Sequence, residues 1–308
     1  LSPIAKPALV HLLLSASLLL FGASPAAGEP AIYTARGITV TAPHRAQQNT
    51  LDAIMAIAQW NSDRPANPIA GCEIHVVVTR PPAGEAPQFV LSHDVNLLRL
   101  TGQDLLLPGL GREQIQSLQI RQVLDGIDYG RTRPFAFLEE LLERWLEHGP
   151  PPFSLWLNVK EPDYRPWDGP SHAAEHLVPA LAQWRLQGLR RHGVDMFHYL
   201  IVSADNPFVV DALDKKSKAL RLEDVLDIFP DYFSWGIPQG IWRFFIDELG
   251  GFEWLFGLES RWAAFEHPFL DLDLISRYHA TGRRVIGWGT LDPLASYYKS
   301  LDAALHSY

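Results

Sequence analysis

Two histidine-led pairs, His44-Arg45 and His93-Asp94, each follow an apolar run directly, and so do Lys160 and Ser203-Ala204-Asp205. Imidazole has an unperturbed pKa of about 6.5, which suits a group that takes a proton in one step and returns it in another near neutral pH. Glu73 and His75 stand two residues apart in one β-branched run. That spacing sends both side chains to one face of a strand, toward the same cavity. An imidazole there is a ligand for a softer metal. Asn158 and Lys160 share a face for the same reason, and the amide offers a carbonyl oxygen. Each of these residues also has a plainer use. A strand-end histidine taken alone is most often a hydrogen-bonded surface residue, and Glu73 could simply pair with Lys160 or Arg45.

Such residues act together only on a scaffold that gathers the ends of several strands. Apolar runs at 38–41, 73–79, 89–91, 153–159, 198–203, 285–288 and 303–306 read as strands. Between them, amphipathic segments read as helices. Asn49 or Thr50 caps one with Leu51, Ile54, Met55 and Ala58 on one face. Pro134 opens another, with Leu138, Leu141, Leu142 and Trp145 inward and Gly149-Pro150 as its stop. Further helices are expected at 172–192, ended by Gly193, at 207–220, at 271–279 and at 293–299. The stretch 227–262 is irregular and aromatic. Strands alternating with helices predict a parallel sheet. The polar residues lie at the C-terminal ends of different strands. A (β/α)8 TIM barrel brings all those ends to one face, where active sites form, and an open sheet would not gather so many. The chain stops at the last strand, so the last β/α unit is expected to be incomplete.

Composition bounds the partners. The chain has 308 residues, 47% hydrophobic and 20% charged, which is globular rather than disordered. That length fits one barrel of about 250 residues plus a leader. The net charge is −9 and no cluster of Lys and Arg forms a basic stripe, which argues against nucleic acid. The single cysteine, Cys72, excludes an internal disulfide and a Cys-based zinc site. Ten Trp are present, and the simplest use of those between 235 and 262 is core packing. Lys6, the apolar run 8–21 and the small residues 22–28 match a secretory signal peptide. Residues 7–27 are also just long enough to cross about 30 Å of hydrocarbon as an anchor. The expected division is residues 1–28 as signal peptide or membrane anchor and 29–308 as the barrel. The protein is then exported, or held at a membrane through 7–27.

The order His44-Arg45, Asn49-Thr50, Glu73, Thr79, His93-Asp94, Arg99-x-Thr101-Gly102, Leu138-Glu139-Glu140-Leu141, Lys160 and Trp288 resembles the glycerophosphodiester phosphodiesterases, within the phospholipase C-like phosphodiesterases. The resemblance runs from about residue 38 to the end, and its specificity lies mostly in the first half. It implies a (β/α)8 barrel that cleaves phosphodiesters with two histidines and a divalent cation, Ca²⁺ or Mg²⁺. By position, it implies His44 and His93 as the acid–base pair and Arg45 and Lys160 as cations that neutralise the phosphate. It also implies Glu73 as a metal ligand. The implied partner is a small phosphodiester or a lipid headgroup. Two departures alter the metal reading. The family carries Glu-x-Asp where this chain has Glu73-Ile74-His75, and Glu-x-Lys where it has Asn158-Val159-Lys160. Three ligand-position carboxylates become one, which lowers the affinity expected for a hard cation. Glu73, His75 and Asn158 remain the candidate donors, or His75 marks the end of metal binding. Two function classes follow: a divergent phosphodiesterase, and an inactive barrel serving as a binding or structural subunit of a membrane-associated complex.

Overall fold

The computed structural model describes residues 19–21, 32–35, 46–66, 68–81, 84–147, 151–232, 244–246, 251–258, 260–266 and 272–288. In chain order the strands are β1 (Leu19–Phe21), β2 (Ile32–Ala35), β3 (Gly71–Val78), β4 (Phe89–Leu91), β5 (Gln119–Ile120), β6 (Val123–Leu124) and β7 (Ile127–Asp128). They continue as β8 (Arg133–Pro134), β9 (Ser154–Lys160), β10 (Leu200–Ala204), β11 (Asp227–Tyr232), β12 (Trp262–Glu266) and β13 (Arg284–Trp288). The helices are α1 (Leu51–Asp63), α2 (Leu98–Thr101), α3 (Arg112–Ser117), α4 (Leu138–Leu146), α5 (His172–His192), α6 (Pro207–Ala219), α7 (Gly251–Phe256) and α8 (Leu272–Ala280). Two compact units result, one built on Tyr33–Ser154 and one on Leu155–Gly289 with Leu18–Ile32.

In the first unit, β2 runs parallel to β3, with α1 as the crossover, and β4 pairs antiparallel to β3. Thr50 is the N-cap of α1, and its side chain accepts from the Ala53 N–H. The buried stripe is Ala53, Ile54, Ala56, Ile57 and Trp60. It is turned from the expected one, leaving Leu51, Met55 and Ala58 half-buried, because Ile57 and Trp60 are the larger apolar groups to cover. After β4 the chain makes a long excursion. It contains α2, α3, the antiparallel pair β5–β8 and the hairpin β6–β7. The hairpin turns at Asp125-Gly126, both left-handed, at φ 53° and 81°. The excursion packs its own core, in which Leu100, Ile115, Ile120 and Phe137 meet Val77 and Val90 of the sheet.

Pro134 does not open the next helix. It lies in β8, and α4 begins at Leu138, where the Glu140 carboxylate reaches back to accept the Phe137 N–H at 3.2 Å. The start is set by that acidic residue at the third helical position and by burial of Phe135 and Phe137, not by the proline.

The second unit is a parallel array, as the alternation of strands and helices predicts, but β11 and the start of β12 fall in the stretch read from the sequence as irregular. β9, β10, β11, β12 and β13 pair in that order, all parallel, with a helix between each consecutive pair. β1, from within the segment expected to be a leader, pairs antiparallel to β13. The long helix α5 runs over the expected residues. Ser171 caps its start, accepting from the Ala174 N–H, and Gly193 ends it at φ 67°. A 3-10 turn, Met196–Tyr199, occupies the front of the strand expected at 198–203, which begins at Leu200 instead. Among the described residues no helix is long and apolar enough to cross a membrane. The strand expected at 38–41, the helix at 293–299, the strand at 303–306 and most of the leader lie outside the described residues.

Candidate functional site

The first unit carries the histidines. Glu73 and His75 project from one face of β3, with His75 Nε2 3.5 Å from Glu73 Oε1. The His75 side chain is almost wholly buried. Its backbone N–H donates to Asn49 Oδ1 at 3.1 Å. Asn49 holds a left-handed conformation, φ 53°, which asparagine tolerates better than most residues. Asn49 therefore locks the site strand to the helix start while Thr50 caps that helix. Asn49 Nδ2 is itself buried with no hydrogen-bond partner. His93 follows β4, and its ring meets the His75 ring edge-on, with centroids 4.7 Å apart and planes at 82°.

A charged relay backs His93. Its Nδ1 lies 2.8 Å from Asp94 Oδ1. Arg99 Nε donates to Asp94 Oδ2 at 2.7 Å, and the same guanidinium pairs with Asp125 at the hairpin turn. Burial raises the Asp94 pKa, but hydrogen bonds from His93 and Arg99 outweigh it and hold the carboxyl at about 2. Asp94 is thus an anion at any ordinary pH. An ionised Asp94 accepts the Nδ1 proton of His93, which leaves Nε2 as the unprotonated nitrogen of the neutral ring. Gln47 fastens the rest of the excursion. It donates to the carbonyls of Arg121 (2.9 Å) and Arg131 (2.7 Å) and accepts from Arg133 at 2.7 Å.

The second unit carries the other expected residues. Asn158 Nδ2 donates to Asp231 Oδ2 at 3.3 Å, and both side chains are buried. Lys160 forms an ion pair with Asp205, which follows β10. The next residue, Glu161, turns away from this pair. Its carboxylate accepts from Ser171 Oγ (2.7 Å) and from the N–H groups of His172 (3.0 Å) and Ala173 (3.1 Å) at the start of α5.

Glu73, His75 and His93 are therefore brought together in one unit. Asn158 and Lys160 stand at the end of β9 in the other, each with an acidic partner. His44 and Arg45 lie outside the described residues. Asp125, Asp205 and Asp231 complete these networks, and two of them had a signal in the sequence. Asp125-Gly126 between apolar residues is a strong hairpin signature, and Asp205 directly follows an apolar run. Among the described residues, no three His, Cys, Asp or Glu side chains converge as ligands for one metal. Ca²⁺ and Mg²⁺ are held by several oxygens, usually more than one of them anionic. Glu73 is the one carboxylate at the expected positions, and its near neighbour is an imidazole. The described donors thus lack the oxygen set a hard cation needs, and no step below passes through a metal.

Comparison with known proteins gives the class of fold. A candidate glycerophosphodiester phosphodiesterase from Galdieria sulphuraria superposes with a TM-score of 0.60 at 16% identity, over 89% of this chain and 90% of that one. An Oleispira antarctica phosphodiesterase, solved with sn-glycerol-3-phosphate as product, gives 0.53 at 20% identity over 90% and 89%. A glycerophosphodiester phosphodiesterase from Agrobacterium tumefaciens gives 0.54 at 13% identity over 88% and 92%. No family model and no curated protein matches the sequence. The fold is that of the glycerophosphodiester phosphodiesterases, an α/β architecture of the (β/α)8 barrel class.

Proposed function

We propose that the chain hydrolyses phosphodiester bonds of glycerophosphodiesters or phospholipid headgroups, outside the cytoplasm or at a membrane. The observation that carries this reading is the His93–Asp94–Arg99 relay. An imidazole with one nitrogen engaged by a permanently ionised carboxylate is oriented for proton transfer at the other. A phosphodiester is a poor electrophile, because its anionic oxygens repel a nucleophile. Arg45 and Lys160 lower that barrier by neutralising them. One of His93 and His44 takes a proton from the attacking water as the new P–O bond forms. The other gives a proton to the alkoxide as the old P–O bond breaks.

The alternative is an inactive barrel that serves as a binding or structural subunit. The Asn158–Asp231 pairing favours it, because a ligand position that lost its carboxylate has become an internal hydrogen bond. Turnover of bis(p-nitrophenyl) phosphate and glycerophosphocholine separates the two. Hydrolysis that falls at least about 10²-fold in His93→Ala supports the enzyme. Absence of turnover in the wild type with any divalent metal, or turnover indifferent to His93→Ala, overturns it.

A further inference from the structure

The first unit contains a cavity of about 280 Å³ between the start of α1, residues 131–136 and α4. Its polar lining is Thr50, Asp52, Arg131, Thr132, Arg133, Glu140 and Arg144. The charges do not balance. Asp52 accepts from both Arg131 Nη2 (2.9 Å) and Arg133 Nε (2.7 Å), so one carboxylate faces two guanidinium groups. Glu140 is engaged from outside the cavity by Arg112, at 3.7 Å, and by the Phe137 N–H. Arg144 pairs with no carboxylate among the described residues. Three guanidinium groups against two carboxylates leave the lining with a small excess of positive charge, in a chain whose net charge is −9. A concave surface with such an excess favours ligands of the opposite sign.

Its walls are continuous with the strands that carry the histidines. The Ala136 carbonyl accepts the Leu91 N–H at 2.9 Å, two residues before His93. Thr50 adjoins Asn49, whose side chain holds the His75 backbone. The volume is at the small end of ligand pockets, which run from about 300 Å³ upward, so it takes one compact group and not a whole diester. Forked guanidinium donors match the planar or tetrahedral oxygens of carboxylate and phosphate.

We propose that this cavity binds a second anionic group, carboxylate or phosphate, on the alcohol portion of the phosphodiester substrate. The inference rests on the hydrolytic reading above and narrows it to diesters whose headgroup carries its own negative charge. The test uses the full chain with Arg131→Ala, Arg144→Ala and the double variant. Arg131 and Arg144 are both exposed, so neither substitution opens the core. Three substrates are compared: glycerophosphocholine, with no further anion; glycerophosphoserine, with a carboxylate; and glycerophosphoinositol 4-phosphate, with a phosphate.

The double variant is expected to raise KM about tenfold for at least one anionic substrate, with kcat little changed and glycerophosphocholine within about twofold. Which anionic substrate responds identifies the group. Equal effects on all three substrates, or none, overturn the proposal. A chain that turns over none of them fails the hydrolytic reading instead. The cavity is then judged by calorimetric titration with inorganic phosphate. Binding weakened about tenfold by the double variant supports an anion site; unaltered binding, or no binding to the wild type, overturns it.

Discussion

The strand ends of the two units handle charge in opposite ways. In the first, carboxylates stand beside or behind imidazoles. Glu73 flanks His75, and Asp94 grips His93 while Arg99 grips Asp94 and is itself held by Asp125. In the second, Asn158 and Lys160 of β9 are each met by an acid from a neighbouring strand or its following loop. Asn158 meets Asp231 and Lys160 meets Asp205. The first arrangement orients a titratable ring from one side and leaves its far nitrogen for chemistry. The second sets an acidic group against an amide and an ammonium group. Where the resemblance implies a carboxylate this chain has Asn158, whose amide donates to the Asp231 carboxyl group two strands along the sheet.

The comparison is most exposed to Asn158→Asp. That change sets two buried carboxylates against each other in place of a hydrogen bond. Stability at pH 8 should fall by about 3 kcal/mol, since a buried charge loses its partner and gains a like neighbour. Millimolar Ca²⁺ should restore much of the loss if the strand end has kept the shape of a cation site. Thermal melts with and without the ion measure both effects, and a variant as stable as the wild type would break the contrast.

A smaller effect is expected on the histidine side. The Asp94 carboxyl is held at about 2, below the ordinary carboxylate value of 3.8. A depressed folded-state pKa adds stability that is complete above the unfolded value and is lost as pH falls toward the folded one. The loss should therefore occur between about pH 4 and pH 2 and amount to about 2 kcal/mol, at 1.36 kcal/mol per unit. Urea midpoints across that range should drop in the wild type, and Asp94→Asn should flatten this part of the profile. A profile unchanged by the substitution would mean that the relay is not a net stabiliser. The smallest effect belongs to Thr50→Ala, which removes the α1 cap and should cost about 1 kcal/mol with little change in the site, because Asn49 and not Thr50 holds β3. Retained turnover with a lowered melting point would sharpen that division of labour.

Local signals made much of this legible in advance. The helix α5 was readable over its whole length, with Gly193 as its stop; the Ser171 cap at its start was a signal the reading did not use. The face shared by Glu73 and His75 followed from the two-residue period of a strand. The excursion was not readable as a small core of its own, because its elements are short and hold together through contacts such as Leu100 with Ile115 and Phe137. Nor were Asp205 and Asp231 readable as partners of β9. Those pairs depend on the register of three parallel strands, in which Asn158 stands opposite Ser203 and Ser203 opposite Phe229. A single sequence states no such alignment. Pro134 misled because a fixed φ serves a strand edge as well as a helix start.

Cys72 sits in β3 directly beside Glu73, with no exposed surface, and it is the chain's single thiol. A thiol reagent can reach it only when that strand opens. Its labelling rate is therefore a clock on opening of the histidine-bearing strand, built into the natural sequence and separate from global unfolding. Ligands that steady the strand would slow the clock, and changes confined to the second unit that leave β3 closed would not move it.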